Sequence, residues 1–410
     1  MDIKELFKGV AVIIDDEVNK KDTQIFKIVK KLEEENVPLL KYKYLPDDKI
    51  VENFLNVSFI LLDWQLDPII DVETKGTVSG STSIEIIKPS GGDNTKIVID
   101  FIKKLTNKYF LPVFIFSKEY SDVIIQKLKE ENLYIDEGKN FIFVKKKEEL
   151  ISDEENKIFT EIEKWLRETP SIYVLKEWEK SLNDAKNKLF WDFYNINHKW
   201  PSVLQKTFQD DGSDVNYELG NFIFKNIMAR TEPIQFDEDI LKIEDNDLTQ
   251  DEIRNVLEAE RFIKNDSLPS DIPFTGDLFK YRADGEDVDR YYLNIRPECD
   301  IARKSNPELY CIKGKIINED SINSNNDDEI SFKKGSFIEK ANKTYAPFLV
   351  DGKIIEFTFN DIKIKKWNNI KNDRVGRILP PYITAIQQKY AFYLQRQGLP
   401  AIPEKAIKDE

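Results

Sequence analysis

Residues 10–17, Val10-Ala11-Val12-Ile13-Ile14-Asp15-Asp16-Glu17, decide how the first part of this chain is read. A short apolar run rich in β-branched side chains that stops abruptly on acids is the pattern of a strand buried on both faces. Four more such runs follow. They are Leu39 to Tyr44; Val57 to Leu62 (VSFILL), which ends at Asp63-Trp64; Leu111 to Phe116 (LPVFIF), which ends at Ser117; and Asn140 to Val144 (NFIFV), which ends in Lys145-Lys146-Lys147. Helical spacing fills the gaps. Ile25, Ile28, Val29 and Leu32 mark a helix over 23–35, and further helices are predicted over 49–55, 96–105, 121–131 and 150–167. Buried strands alternating with helices predict an α/β fold with a doubly wound, five-stranded parallel sheet. Such sheets keep their chemistry at the carboxyl ends of the strands. Asp15, Asp16, Asp63, Ser117 and Lys145 all fall there.

The rest of the chain changes character twice. Residues 1–150 form the α/β domain, with an insertion at 67–95 that carries Gly76, Gly80 and Gly91-Gly92. A helical region spans 151–230, with Trp178, Leu182, Ala185 and Leu189 on one face. Residues 231–272 are polar and acidic and read as a linker with one helix. From 273 to 410, short strand-like runs predict a small β-barrel closed by a terminal helix over 381–397. Asp351-Gly352 marks a hairpin within it, and Ser321 to Asp328 is a polar insertion.

Bulk properties exclude several classes. The net charge of −14 over 410 residues is the wrong sign for a default nucleic-acid binder, so nucleic acid is not supported as a general partner. Two cysteines, Cys299 and Cys311, argue against a disulfide-stapled secreted fold. A single histidine, His198, leaves little room for a His-rich metal site, and its setting beside Trp200-Pro201 reads as a turn. No apolar stretch approaches the ~20 residues that span a bilayer, and the opening residues lack a signal-peptide pattern. The expectation is a cytoplasmic protein with no membrane partner.

The strand-end residues give the first region a resemblance. It looks like the receiver domains of bacterial response regulators, on the acidic pair Asp15-Asp16 after strand one, Leu61-Leu62-Asp63 closing strand three, Ser117 closing strand four and a lysine closing strand five. By that resemblance Asp63 accepts a phosphoryl group. Asp15, Asp16 and Asp63, with the carbonyl of Gln65, hold Mg²⁺, Asp15 acting through water. Ser117 binds a phosphate oxygen and Lys145 pairs with the phosphoryl group. The chain departs from the receiver pattern in having Lys146 where a proline usually follows the lysine, and the run Lys145-Lys146-Lys147 leaves the lysine register open. The phosphoryl source that the resemblance implies is a histidine-kinase-like ATPase.

The C-terminal region resembles, in pattern, the SH3-like barrels of MazF- and PemK-type proteins through Thr275-Gly276-Asp277-Leu278-Phe279. Those toxins cut RNA, so Arg296, Cys299 and Asp300 form a candidate effector site there. Cys299 reads more simply as a small buried residue at a strand end. The basic run Lys363, Lys365, Lys366, Lys371, Arg374 and Arg377 surrounds Trp367, an aromatic available for stacking; a solvated lysine-rich edge is the commoner meaning of such a run. Taken together, the sequence predicts a prokaryotic signalling protein, with a multi-component defence system as its expected setting, whose receiver domain is governed by aspartyl phosphorylation or docking. The rival expectations are a receiver-gated endoribonuclease-like effector and a non-catalytic pseudo-receiver adaptor.

Overall fold

A computed structural model of the chain describes residues 9–66, 94–135, 140–151, 157–242, 248–282, 289–302, 305–317, 338–340, 342–397 and 406. The insertion after Asp63, the polar stretch Ser321 to Asp328 and the closing residues Gly398 and Pro400 lie largely or wholly outside them. The chain divides into two compact units, Met1–Asp192 with Asn226–Lys242, and Phe193–Lys225 with Ile243–Glu410.

In the first unit the elements run β1 (Val10–Ile14), α1 (Gln24–Glu34), β2 (Leu39–Tyr42), α2 (Asp48–Val51), β3 (Val57–Leu62), α3 (Asn94–Thr106), β4 (Val113–Ser117), α4 (Ser121–Glu130), β5 (Ile142–Lys146), α5 (Lys147–Leu150) and α6 (Lys157–Glu168). Along the chain follow α7 (Pro170–Ile196), which passes from the first unit's residues into the second's; α8 (Trp200–Asp210), in the second; α9 (Val215–Arg230), which passes back; and α10 (Glu238–Leu241), in the first. The five strands pair in parallel in the order β2-β1-β3-β4-β5.

Successive strand residues point to opposite faces, and both faces are covered. Ala11, Ile13, Phe59, Leu61, Phe114 and Phe143 pack against α1 and α6. Val12, Ile14, Ile60, Leu62, Ile115 and Val144 pack against α3 and α4. This is why the strands read as unbroken apolar runs. Helix α6 belongs fully to this core. Its Trp165 meets the Phe114 ring edge-on at 5.4 Å and donates Nε1–H to the Asn140 carbonyl at 2.8 Å. Ile172 and Tyr173 of α7, and Ile240 of α10, join the same cluster, so the packing carries the unit past residue 150.

The second unit holds α11 (Gln250–Arg261), β6 (Phe262–Lys264), β7 (Asp277–Tyr281), β8 (Arg290–Asn294), α12 (Glu298–Ala302), β9 (Glu308–Ile317), β10 (Ile338–Lys340), β11 (Lys343–Leu349), β12 (Lys353–Lys366), α13 (Trp367–Ile370), β13 (Arg374–Ile378) and α14 (Tyr382–Gln395). The eight strands form one curled antiparallel sheet, a half-barrel, in the order β10-β11-β12-β9-β8-β7-β13-β6. Irregular register between Thr358 and Ile362, and between Arg374 and Gly376, bends it. One face carries Leu278, Tyr291, Leu293, Ile312, Ile355 and Phe357, packed with Ile383 and Ile386 of the terminal helix α14. Gly276 makes the turn into β7 at φ +92°, where an added Cβ would lie 2.2 Å from the Ile378 carbonyl oxygen. Only glycine fits that approach. The stretch expected as a linker supplies both α11, opened by a Thr249–Glu252 capping box, and an outer strand of the sheet.

Candidate functional site

Three neighbouring strands of the parallel sheet end in the same local device. Asp15 Oδ1 accepts the Glu17 N–H at 2.8 Å, Asp63 Oδ1 accepts the Gln65 N–H at 3.3 Å, and Ser117 Oγ accepts the Glu119 N–H at 3.1 Å. Short polar side chains that bond the backbone two residues on turn the chain sharply. Here they also fix each side chain at the carboxyl edge. Asp15 and Ser117 are fully buried and Asp63 nearly so. One carboxylate oxygen from each of Asp15, Asp16 and Asp63 lies within 4.8 Å of the others.

The lysine that completes the pocket is Lys147. Its ammonium donates to Asp15 Oδ2 at 2.7 Å and to Asp63 Oδ2 at 2.6 Å, and its side chain is 1% exposed. Lys145, expected in that role, is elsewhere, and the strand's alternation explains why. Strand β5 pairs with β4 through Phe116↔Lys145 and Ser117↔Lys146, so it runs two residues beyond Val144. Lys145 shares a face with Phe143 and meets Glu161 of α6 at 3.1 Å. Lys146 shares a face with Val144, and its ammonium lies 3.2 Å from the centre of the Tyr120 ring. Lys147, the first residue past the strand, turns inward over the carboxyl edge.

Three carboxylates face one ammonium here. Burial pushes the Asp15 carboxyl up to about 6, against the pull of Lys147 and with a push from Asp63. Burial works against the charge on Lys147, but the two carboxylates outweigh it and raise its pKa. Such a pocket gathers hard oxygen donors. The donor set suits a divalent cation of the Mg²⁺ or Ca²⁺ kind. At the rim, Lys118 spans to Glu17 at 2.8 Å and holds that carboxyl below the usual carboxylate range. Lys147 and Lys118 were not singled out from the sequence. Lys147 was legible as a member of the lysine run; Lys118 had no signal beyond its place after Ser117.

The C-terminal candidates come together only in part. Arg296 is nearly buried. Its Nη1 donates to the Glu308 carbonyl at 2.6 Å and its guanidinium covers the Tyr310 ring at 4.6 Å, so it braces the chain entering α12. Asp300 approaches its Nε at 3.7 Å. Cys299, expected to be buried, is exposed. Its thiol meets Asp300 Oδ1 at 3.8 Å, a carboxylate and not an imidazole. Cys311 is the buried thiol, pushed up to about 12 by burial. Trp367, expected to be open for stacking, is 2% exposed and sits in a cluster with Phe279, Leu309 and Ile370, because α13 folds it under the sheet. Arg377 is spent on the buried Asp277 at 2.7 Å, and Arg374 on Asn265 and the carbonyls of Pro269 and Ile272. His198 is exposed in the turn before α8.

No protein-family model matches this chain, and no curated protein matches it. Among solved structures, a fusion carrying the yeast Spc42 trimeric coiled coil, amino acids 181–211, is 13% identical with a TM-score of 0.25. The match covers 47% of this chain and 94% of that one. So slight a likeness bears on neither fold nor function. Among the described residues, no helix is long and apolar enough to cross a membrane.

Proposed function

We propose that the first unit is a receiver-type phosphoacceptor domain, with Asp63 as the residue that takes the phosphoryl group, in a prokaryotic signalling protein. The observation that carries this reading is the buried Lys147 ammonium bridging Asp15 and Asp63 at the carboxyl edge of a sheet ordered β2-β1-β3-β4-β5. Asp63 Oδ2 is committed to Lys147, whereas Oδ1 carries only the weaker 3.3 Å contact from Gln65 among the bonds described here. Oδ1 is thus the oxygen better placed to form a bond to phosphorus as the donor departs with its electron pair. Lys147 holds the acceptor and balances charge on the product. The Ser117 hydroxyl, which accepts from Glu119, keeps its own proton to donate to a phosphoryl oxygen. Asp15, Asp16 and Asp63 would hold Mg²⁺, which would neutralise the transferring oxygens. The matching phosphoryl source is a phosphohistidine of a histidine-kinase-like ATPase.

The test is intact mass of the purified chain after exposure to a small phosphodonor with Mg²⁺. A single phosphoryl adduct is expected, absent without the metal and absent in Asp63→Asn. An adduct that persists in Asp63→Asn refutes the assignment, as does a folded, Mg²⁺-binding protein that never acquires one.

A further inference from the structure

The second unit's curled sheet has one apolar face, covered by α14; its other face is divided between a buried apolar cluster of Phe279, Leu309, Cys311 and Trp367 and a polar stretch of unusual composition. Arg290 on β8, Lys313 and Lys315 on β9, Lys343 on β11, and Lys363 and Lys365 on β12 fall on that polar stretch by strand register. Among the described residues its acids are Glu356 and Asp361, and each is shared by two lysines. Lys315 and Lys343 reach Glu356 at 3.4 and 3.1 Å, and Lys313 and Lys363 reach Asp361 at 2.5 and 2.9 Å. Among the described residues, five lysines against two acids leave this surface positive on a chain whose net charge is −14.

Two aromatic rings lie among those cations. Tyr281 and Tyr292 are stacked, with centroids 4.0 Å apart and planes within 9°, and Lys365 lies 5.0 Å from the centre of the Tyr292 ring. Both tyrosines, with Arg290, Lys313, Lys315 and Lys343, line a concave cleft of about 500 Å³, and Lys365 lies outside its lining.

We propose that this face binds single-stranded RNA. A groove of surplus cations follows a phosphate backbone, and flat rings offer unpaired bases a stacking surface. The stacking surface does not serve a duplex, whose bases are already stacked. The Thr358 hydroxyl donates to the Lys313 carbonyl at 3.4 Å and the two tyrosine hydroxyls hydrogen-bond each other, so their oxygens are placed to accept from a ribose 2′-OH, a group DNA lacks. The positive charge is gathered from four strands between residues 290 and 365, and of the basic run around Trp367 it takes in Lys363 and Lys365 alone.

The experiment is fluorescence anisotropy of a labelled mixed-sequence RNA of about 15 nucleotides titrated with the full chain across a salt series. Binding should weaken steeply with salt. Arg290→Gln/Lys365→Gln should weaken it at least about tenfold at low salt and lower the logarithmic salt slope by about 1.4, at roughly 0.7 per phosphate contact on a single strand. Tyr281→Leu should weaken it about fivefold or more with the slope unchanged. Lys30→Gln, on α1 of the other unit, should change nothing, and all variants should keep the parent's thermal midpoint. DNA of the same sequence should bind more weakly. No binding, binding indifferent to the face variants, DNA held as tightly as RNA, or full displacement by poly-glutamate would each overturn the proposal.

Discussion

Without the Lys147 ammonium, Asp15 and Asp63 would face each other in a buried pocket with nothing between them. Breaking a buried ion pair from one side costs about 3–5 kcal/mol, so Lys147→Met should lower the unfolding free energy by that order in metal-free urea denaturation. Added Mg²⁺ should restore part of the loss. Lys145→Met removes a partly exposed pair with Glu161 and should cost no more than about 1 kcal/mol. The same pocket gives a pH signature. Asp15 titrates at about 6 in the folded protein, above the ordinary 3.8. A carboxyl whose pKa rises on folding holds its proton more tightly in the native state. Its contribution is therefore complete below the lower value and is lost as pH climbs through the higher one. Denaturation midpoints in chelator should show wild type losing stability relative to Asp15→Asn between about pH 4 and pH 6. A difference that does not change across that window would show that Asp15 titrates normally.

At the scale of elements, α6 is the piece whose role packing decides. Trp165 closes one face of the parallel sheet, and Trp165→Ala should cost about 3–5 kcal/mol by urea denaturation. Trp178, half exposed on α7, should tolerate alanine within about 0.5 kcal/mol. In the other unit, Gly276→Ala should be destabilising by more than about 1 kcal/mol, because it meets both an unfavourable φ and the Ile378 carbonyl. Elements of this kind differ in how far the sequence exposes them. Strands β1 and β3 fall on the residues their apolar runs predict, since a strand buried on both faces has no polar position to blur its limits. Strand β5 did not, because its last two residues are lysines whose ammonium groups leave the sheet for Glu161 and Tyr120. That two-residue difference moved the pocket lysine from Lys145 to Lys147. Trp367 was misread for a related reason: a tryptophan among lysines looks exposed until α13 folds it inward. Of the cationic face only Lys363 and Lys365 stand out in the sequence, since register across β8, β9, β11 and β12 assembles the rest.

At the scale of the whole molecule, two units with separate apolar cores should respond separately to ligands. A ligand stabilises only the species that binds it, by about 2.7 kcal/mol at a hundredfold excess over Kd. Calorimetry with and without Mg²⁺ should therefore move the transition of the unit holding Asp15, Asp16 and Asp63 and leave the other in place. A uniform shift of all unfolding would place the metal elsewhere or make the two units one cooperative block. Substitutions on the cationic sheet face should likewise leave the Mg²⁺-dependent shift intact.

The three consecutive lysines after Val144 have one further use. They differ by a single residue each, yet one is salt-bridged at a surface, one lies on a tyrosine ring and one is sealed between two acids. An amine-reactive label applied to the native protein should mark Lys145 and Lys146 promptly and reach Lys147 only when the pocket opens. The lag between the first two and the third, read by peptide mass spectrometry, becomes an internal clock for that opening, with its own reference built into the same peptide. Phosphorylation of Asp63 should slow the clock if the phosphoryl group draws Lys147 in more tightly.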